Sequence, residues 1–345
     1  MSVPDPQAAP PLRWGIIAPG GIANKFAEAV HDFTASTVVA VGSRDGGRAE
    51  EFAGRHGIPR SYAGYDRLVR DDEVEAVYVA SPHSGHREHA LLAIEAGKHV
   101  LIEKALARNG AEAEGIFAAA EAKGVFVMEA MWTRHLPHIA WVREKIAAGA
   151  IGEVVTVSAD HGQSLDLPAA HRLKNPELAG GAILDLGVYP VSFVVDLLGA
   201  PSEVKAVGRL TETGVDGHVS MLLGYEGAGG DRGDSDKVIA LVDTTLWTKT
   251  PTVAVVSGST GSIELEGDFY SPGVVRLRNG DKARSVVEEW DGSVDNGFQF
   301  EAAEVARCVA EGKHESERMT WESSRAVMAV MDEARRQVGV VYPGE

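Results

Sequence analysis

Cysteine is nearly missing from this chain: 345 residues contain one, Cys308. A single thiol excludes an internal disulfide and a cysteine-built zinc site, and it suits a reducing compartment, so the expected location is the cytoplasm. Positive charge is also scarce, with 33 Lys and Arg against 50 Asp and Glu and a formal net charge of -17. That balance argues against a nucleic-acid partner, because non-specific binding to a phosphate backbone needs the opposite sign. Long apolar runs are lacking too; none is read as approaching the roughly 20 residues that cross a bilayer, so no membrane partner is expected. The opening MSVPDPQAAPP has neither the basic nor the apolar region of a secretory leader, and residues 1–11 read as a disordered lead-in.

What is present is the composition of a globular protein, long enough for two domains. The stretch Leu12 to Ala23, LRWGIIAPGGIA, organises the rest. Trp14 to Ala18 reads as a short buried strand, Pro19-Gly20-Gly21 as a tight turn, and Ile22 onward as a helix. A strand turning sharply into a helix presents free N–H groups and the positive end of the helix dipole, which is a seat for a pyrophosphate. In the G-x-G-x-x-G/A fingerprint, Gly20 and Ala23 fill the second and third places, while Ala18 stands at the first. Taken alone, such a turn is as often an ordinary tight loop.

The following hundred residues supply the context. Apolar runs at Thr37–Gly42, Ala76–Ala80, His99–Glu103 and Val125–Glu129 alternate with helical stretches, which predicts a doubly wound parallel sheet. Beyond a helix over Pro137 to Ala148 the pattern changes to closely spaced strands between Glu203 and Glu289, which predicts a mainly antiparallel sheet. Gly227 to Asp236 reads as a flexible polar hairpin tip, and a helical pair over Gly297–Glu311 and Thr320–Gln337 closes the chain. The expected fold is an α/β Rossmann domain over 12–131 and an α+β domain with a large open sheet over 132–345.

Several residues could carry chemistry. At the end of the second strand, Ser43 is followed by Arg44, with Arg48 one helical turn on; two guanidinium groups suit a 2′-phosphate and favour NADP over NAD. Two solvated surface arginines are the plain alternative. Lys104 directly follows a buried strand, and the carboxyl ends of parallel strands face the ligand crevice. In GGAILDLGVYP, Asp185 and Tyr189 stand four apart and share a helix face. An aspartate inside an apolar run needs a partner, and a tyrosine near an ammonium can serve as an acid or base. His83, His86 and His89 are spaced by three without supporting metal ligands, so they read as a loop and helix at the crevice, with His83 near the cofactor and His89 structural. His161 and His171 flank an irregular loop that could line a substrate pocket, and Trp132 either walls a pocket or packs in a core. Specificity is expected in the loops Gly162–Lys174, Tyr270–Gly273 and Gly292–Phe298.

Together RWGIIAPGGIA, VGSRDGGRAEEFA, VASPHSGHREHALLAIEAGKHVLIEKALA, VFVMEAMWTR and GGAILDLGVYP resemble the Gfo/Idh/MocA family of NAD(P)-dependent oxidoreductases. The resemblance runs from about Arg13 to Pro343 and is nearest the branch of dihydrodiol and NADP-dependent aldose dehydrogenases. It implies hydride transfer between NADP(H) and a hydroxyl or carbonyl of a small polyol, a sugar or a cyclic trans-diol. It also implies a homodimer, or a dimer of dimers, built through the C-terminal sheet. The lysine of the family's E-K-P motif falls on Lys104 and the tyrosine of its D-x-G-x-Y helix on Tyr189, with Asp185 as the aspartate. The implied cofactor set is Ala18, Gly20, Gly21, Ile22, Ser43, Arg44, Arg48, Ser81, Pro82, His83, His86, Glu103, Lys104, Trp132 and Arg134. The implied substrate set is Trp132, His161, His171, Asp185 and Tyr189. Ala105 replaces the motif's proline, which usually carries a cis peptide; before a non-proline residue that geometry costs about 2.5–4 kcal/mol. A trans bond there would displace Lys104, and the substitution motivates a second reading, a nicotinamide-binding sensor without turnover.

Overall fold

A computed structural model describes residues 3–168, 170–226, 237–281 and 283–345. By contacts the chain divides into two compact units, residues 4–135 with 296–324 and residues 136–295 with 325–345.

The first unit is built on a six-stranded parallel sheet in the order β3-β2-β1-β4-β5-β6. Its strands are β1 (Arg13–Ile17), β2 (Thr37–Ser43), β3 (Arg60–Ala63), β4 (Ala76–Val79), β5 (His99–Glu103) and β6 (Val127–Ala130). Helices α1 (Gly21–Phe33), α2 (Gly46–His56), α3 (Tyr65–Val69), α4 (His83–Glu95) and α5 (Gly110–Lys123) connect them. Strands buried on both faces favour apolar residues: β4 is apolar and buried throughout, and β6 is buried throughout with Glu129 its one charged residue. Helix ends are set by local chemistry: Asp45 and Asn109 accept backbone N–H groups at the starts of α2 and α5, and left-handed Gly57 and Gly124 close them. Under the sheet, Phe26 stacks on Tyr78 at 3.9 Å and meets Trp14 edge-on at 5.2 Å.

Residues 296–324 return to this unit. Helix α8 (Phe298–Ala310) lies against α1, and Phe298 stacks on Trp132 at 4.6 Å. Trp321, at the head of α9 (Trp321–Val338), stacks on Phe117 at 5.2 Å, and its indole N–H donates to the Val127 carbonyl at 2.9 Å. The compact units therefore differ from a cut at 131/132, because aromatic packing ties residues 296–324 to the parallel sheet. The lead-in expected to be disordered also has a fixed place from residue 3 onward. Pro6–Ala8 form a 3-10 turn capped by Asp5, Ala9 is buried, and Arg307 donates to the Asp5 carbonyl at 2.7 Å.

The second unit holds an eight-stranded sheet, β14-β13-β12-β11-β7-β10-β9-β8, in which the β7–β10 pair is parallel and the others antiparallel. Its strands are β7 (Val154–Gly162), β8 (Glu203–Leu210), β9 (Asp216–Glu226), β10 (Lys237–Thr245), β11 (Ala254–Gly258), β12 (Gly261–Leu265), β13 (Val274–Asn279) and β14 (Val286–Asp291). The hairpin tip expected at Gly227–Asp236 lies outside the described residues. Helices α6 (Pro137–Ala147) and α7 (Val188–Leu198) belong to this unit, and α7 packs on β7 and β10. Within Pro176–Leu198 an 18-residue window has a mean hydropathy of 1.7, apolar enough by length and composition to cross a bilayer, contrary to the sequence reading. That window is 94% buried, so its hydrophobicity is that of a core element.

Candidate active site

The first cluster lies at the carboxyl ends of the parallel strands. The sheet order reverses between β1 and β4, where such sheets leave a crevice for ligands. Ala18 leaves β1 with a left-handed φ of 66° and donates its N–H to the Gly42 carbonyl at 3.0 Å. Gly20 then caps α1 with extended backbone and no side-chain acceptor, so the first amides of the helix have none from their cap. A Cβ on Gly20 would come no nearer than 3.9 Å to another atom, and one on Gly21 would meet nothing within 4 Å. An uncapped helix start with an open glycine crest fits a pyrophosphate.

Beside it, Arg44 and Arg48 are exposed at the end of β2 and the start of α2. The carboxylate at this strand end, Asp45, caps α2 by accepting from the amides of Gly47 at 2.9 Å and Arg48 at 3.4 Å. Ser43 is buried and its hydroxyl accepts the Asp45 amide, so it shapes the turn. Tyr65 bonds to Arg44, and its ring meets His89 edge-on at 4.6 Å.

The three histidines serve the loop after β4. His89 Nδ1 lies 2.9 Å from the Ser81 hydroxyl, and His86 Nε2 lies 2.7 Å from the Ser81 carbonyl. His86 Nδ1 reaches the Ala105 carbonyl at 2.9 Å. His86, expected on the cofactor, is wholly buried; its imidazole links the loop after β4 to the loop after β5. Burial pushes its pKa down to about 3, against the pull of those carbonyls. His83 opens α4, buried and edge-on to His86 at 5.6 Å, while Pro82 is exposed.

Lys104 sits half-buried at the end of β5, and the Lys104–Ala105 peptide is cis. Glu103 is buried beneath it, accepting from the Tyr78 hydroxyl and, at 3.2 Å, from the Lys104 amide. Burial pushes the Glu103 carboxyl up to about 7, although the Tyr78 hydrogen bond and the Lys104 charge act in the opposite sense. Two more buried carboxyls belong to this unit. Glu129 accepts from the Leu106 amide at 3.0 Å and the Ser324 hydroxyl at 2.9 Å, and Glu301 on α8 is held well above the carboxylate range by burial and by Glu103. Arg134 is also buried, with its guanidinium on the Ser323 hydroxyl at 2.5 Å. Arg134 and Trp132, expected on the cofactor, are thus packed against residues 298–323 of the same unit.

The second cluster belongs to the other unit. Asp185 does have the partner its burial demands: both terminal nitrogens of Arg172 donate to its Oδ1 at 3.1 Å. Residues Ile183–Gly187 wind as a single π-helical turn that runs directly into α7, so Asp185 and Tyr189 lie one turn apart on a continuous helical segment. Tyr189 opens α7 and joins a cluster of three rings. Its centroid is 4.5 Å from Tyr270 and 5.5 Å from His161, and His161 is 4.4 Å from Tyr270. His171 has a local role, its Nδ1 accepting the Leu173 amide at 3.2 Å at the start of a 3-10 turn.

Five residues of these clusters escape a reading of the sequence. Arg172 and Tyr270 lie in loops where specificity is expected, but nothing in the sequence singles them out. Tyr78, Glu129 and Glu301 read as ordinary strand and helix residues, and only the fold buries them together.

With this geometry in place, comparison with known proteins is informative. The family model for oxidoreductases with a NAD-binding Rossmann fold, GFO/IDH/MocA, matches residues 12–131, and the GFO/IDH/MocA C-terminal domain matches residues 139–264. Trans-1,2-dihydrobenzene-1,2-diol dehydrogenase of Mus musculus is 36% identical over 340 residues, covering 96% of this chain and 98% of the relative. D-xylose 1-dehydrogenase (NADP(+)) of Hypocrea jecorina is 37% identical over 381 residues, covering 96% of this chain and 93% of the relative. Among solved structures, KijD10, a 3-ketoreductase from Actinomadura kijaniata in complex with NADP and TDP-benzene, superposes with a TM-score of 0.81 at 28% identity. That match covers 95% of this chain and 98% of KijD10.

Proposed function

Because the chain belongs to the GFO/IDH/MocA family of oxidoreductases, whose Rossmann domain binds a nicotinamide nucleotide, we propose that it is an NADP-dependent dehydrogenase of small polyols, sugars or cyclic trans-diols. The observation that carries this reading is Lys104, presented at the carboxyl end of β5 in the same unit as the uncapped glycine turn. Bound NADP(H) supplies the hydride acceptor or donor. Tyr189 takes or gives the proton of the substrate hydroxyl. Lys104 hydrogen-bonds the substrate oxygen and stabilises negative charge developing there. Asp185, held by both arms of Arg172, orients the substrate.

Selection of NADP falls to Arg44 and Arg48, since the one carboxylate that would suit the ribose of NAD, Asp45, is committed to its helix cap. The His161–Tyr270–Tyr189 rings suit a substrate with a flat or C–H-rich face and hydroxyls at its edge. The two dehydrogenases compared above are both named for compounds bearing hydroxyls on neighbouring carbons.

The proposed assembly is a homodimer through the open face of the second sheet. Leu222 and Leu241 are direct cross-strand neighbours there, each 48% exposed, with Ile239 on β10 and Val207 on β8 beside them. A contiguous apolar patch on a sheet face fits a second copy of the same surface.

The test is a fluorescence titration with NADPH and NADH, followed by a panel of aldoses and trans-diols with NADP. NADPH should bind tightly, one class should turn over, and Lys104→Met should abolish turnover while keeping NADPH binding. Unchanged turnover in that variant refutes the assignment of Lys104.

A further inference from the structure

The helical segment carrying Asp185 and Tyr189 begins without a cap of its own. Ala182, at its N-terminal boundary, already has helical backbone and makes no capping hydrogen bond with its side chain. Glycines precede it, and four unpaired amides at a buried helix start need acceptors.

The acceptor comes from the neighbouring sheet. Asp216, at the first position of β9, is wholly buried, and its Oδ2 accepts the Ile183 amide at 2.6 Å. The Ala182 amide also contributes to holding this carboxylate. Gly181 makes the approach possible: its φ is 120°, and a Cβ there would overlap the Asp216 carboxylate.

The same turn is held from a second direction. Tyr342, beyond α9, is buried, and its hydroxyl donates to the Gly180 carbonyl at 2.5 Å. Tyr342 is itself fixed by Arg335, whose guanidinium lies 4.6 Å from the ring centroid. Arg335 pairs with Asp332 at 2.8 Å and with both oxygens of Glu345 at 3.0 and 3.1 Å, and Glu345 accepts the Tyr342 amide at 2.9 Å.

We propose that Asp216 and Tyr342 are positioning residues that grip the 180–183 turn from two sides and set the register in which Asp185 and Tyr189 meet the substrate. The proposal rests on the reading of those two residues as substrate-facing groups. The physical need for such a grip lies in the π-helical turn at 183–187, a less favourable winding that usually occurs as one isolated turn. Slipping that turn by one residue to α-helical winding would swing its side chains by about 100° around the axis. Misplacement of a reacting group by about 1 Å can cost about a hundredfold in rate. Neither Asp216 nor Tyr342 has to touch substrate for this; each acts through the backbone it holds.

The experiment compares Asp216→Asn and Tyr342→Phe, both nearly isosteric, with Tyr189→Phe in the intact protein. It measures kcat, KM, NADPH affinity and amide hydrogen exchange over residues 183–189. Both clasp variants should lower kcat by about ten- to a hundredfold, leave the NADPH Kd within about twofold, and speed exchange of the 183–189 amides at least about tenfold. A purely structural role would lower thermal stability while leaving kcat per folded molecule intact, and that result overturns the proposal. Turnover and exchange unchanged in both variants, with Tyr189→Phe inactive, overturns it as well. Full turnover in Tyr189→Phe refutes the functional reading instead, whereas the exchange rates still report on the grip. If Tyr342→Phe does not fold, Arg335→Lys replaces it; a lysine keeps the charge, loses the forked pairing with Glu345, and is judged by the same criteria.

Discussion

Replacing Glu103 by glutamine should change how stability depends on pH. The carboxyl is buried next to Lys104, and its pKa is raised from 4.5 to about 7. Between those values the folded protein keeps a proton that the unfolded chain releases. This contribution to stability is therefore complete below pH 4.5 and is lost as pH rises through 7. A tenfold change in proton affinity is worth about 1.4 kcal/mol, so the whole effect is of the order of 3 kcal/mol, most of it falling between pH 5 and 8. Glu103→Gln removes this titration and, with it, the like-charge push of Glu103 on Glu301. For a unit of about 160 residues, a change of 1 kcal/mol moves Tm by roughly 2–4 °C. The wild-type Tm minus the variant Tm, measured by calorimetry at several pH values, should thus fall by about 5–10 °C from pH 5 to 8. A gap that stays constant across that range refutes the view that Glu103 holds its proton to near neutrality.

Replacing both Arg44 and Arg48 by alanine should weaken NADPH binding by about ten- to a hundredfold and leave NADH within about twofold, as read by fluorescence titration; charge-assisted bonds to a phosphate are worth about 1.5–3 kcal/mol. Equal losses for both nucleotides would remove the 2′-phosphate assignment. Leu241→Glu places a charge in the centre of the exposed apolar sheet face and should convert a dimer to monomers in light scattering after gel filtration. A variant that keeps the wild-type mass would show that copies do not pair through this surface.

The parallel sheet is legible in the sequence because burial on both faces forces apolar runs, as in Ala76–Val79 and Val100–Ile102. Strands β3 and β14 escape notice for the opposite reason: both are short and largely outside the core, and Arg60–Ala63 or Val286–Asp291 carry no continuous apolar signal. Asp185 announces itself because a charge in an apolar run requires a partner, although the identity of Arg172 does not follow from that requirement. The π-helical winding of its turn leaves no trace in the spacing, which reads equally well as an α-helix. Asp216 and Glu301 give no signal at all. One sits at the start of a strand and the other in a good helix former's place, and only contacts distant in sequence bury them. Residues 296–324 look like part of the second domain on the same ground, since Trp132 and Phe298 meet only in three dimensions.

That last arrangement bears on biosynthesis. A chain emerging from the ribosome makes all six parallel strands by residue 130, yet Trp132 then lacks Phe298, Phe117 lacks Trp321, and Glu129 lacks the hydroxyl of Ser324. At a synthesis rate of roughly 5–20 residues per second, the helix that completes this unit follows about 10–40 seconds later. Through that interval Phe117 and Trp132 wait without the rings that cover them, and a fragment ending at residue 135 would leave both uncovered permanently.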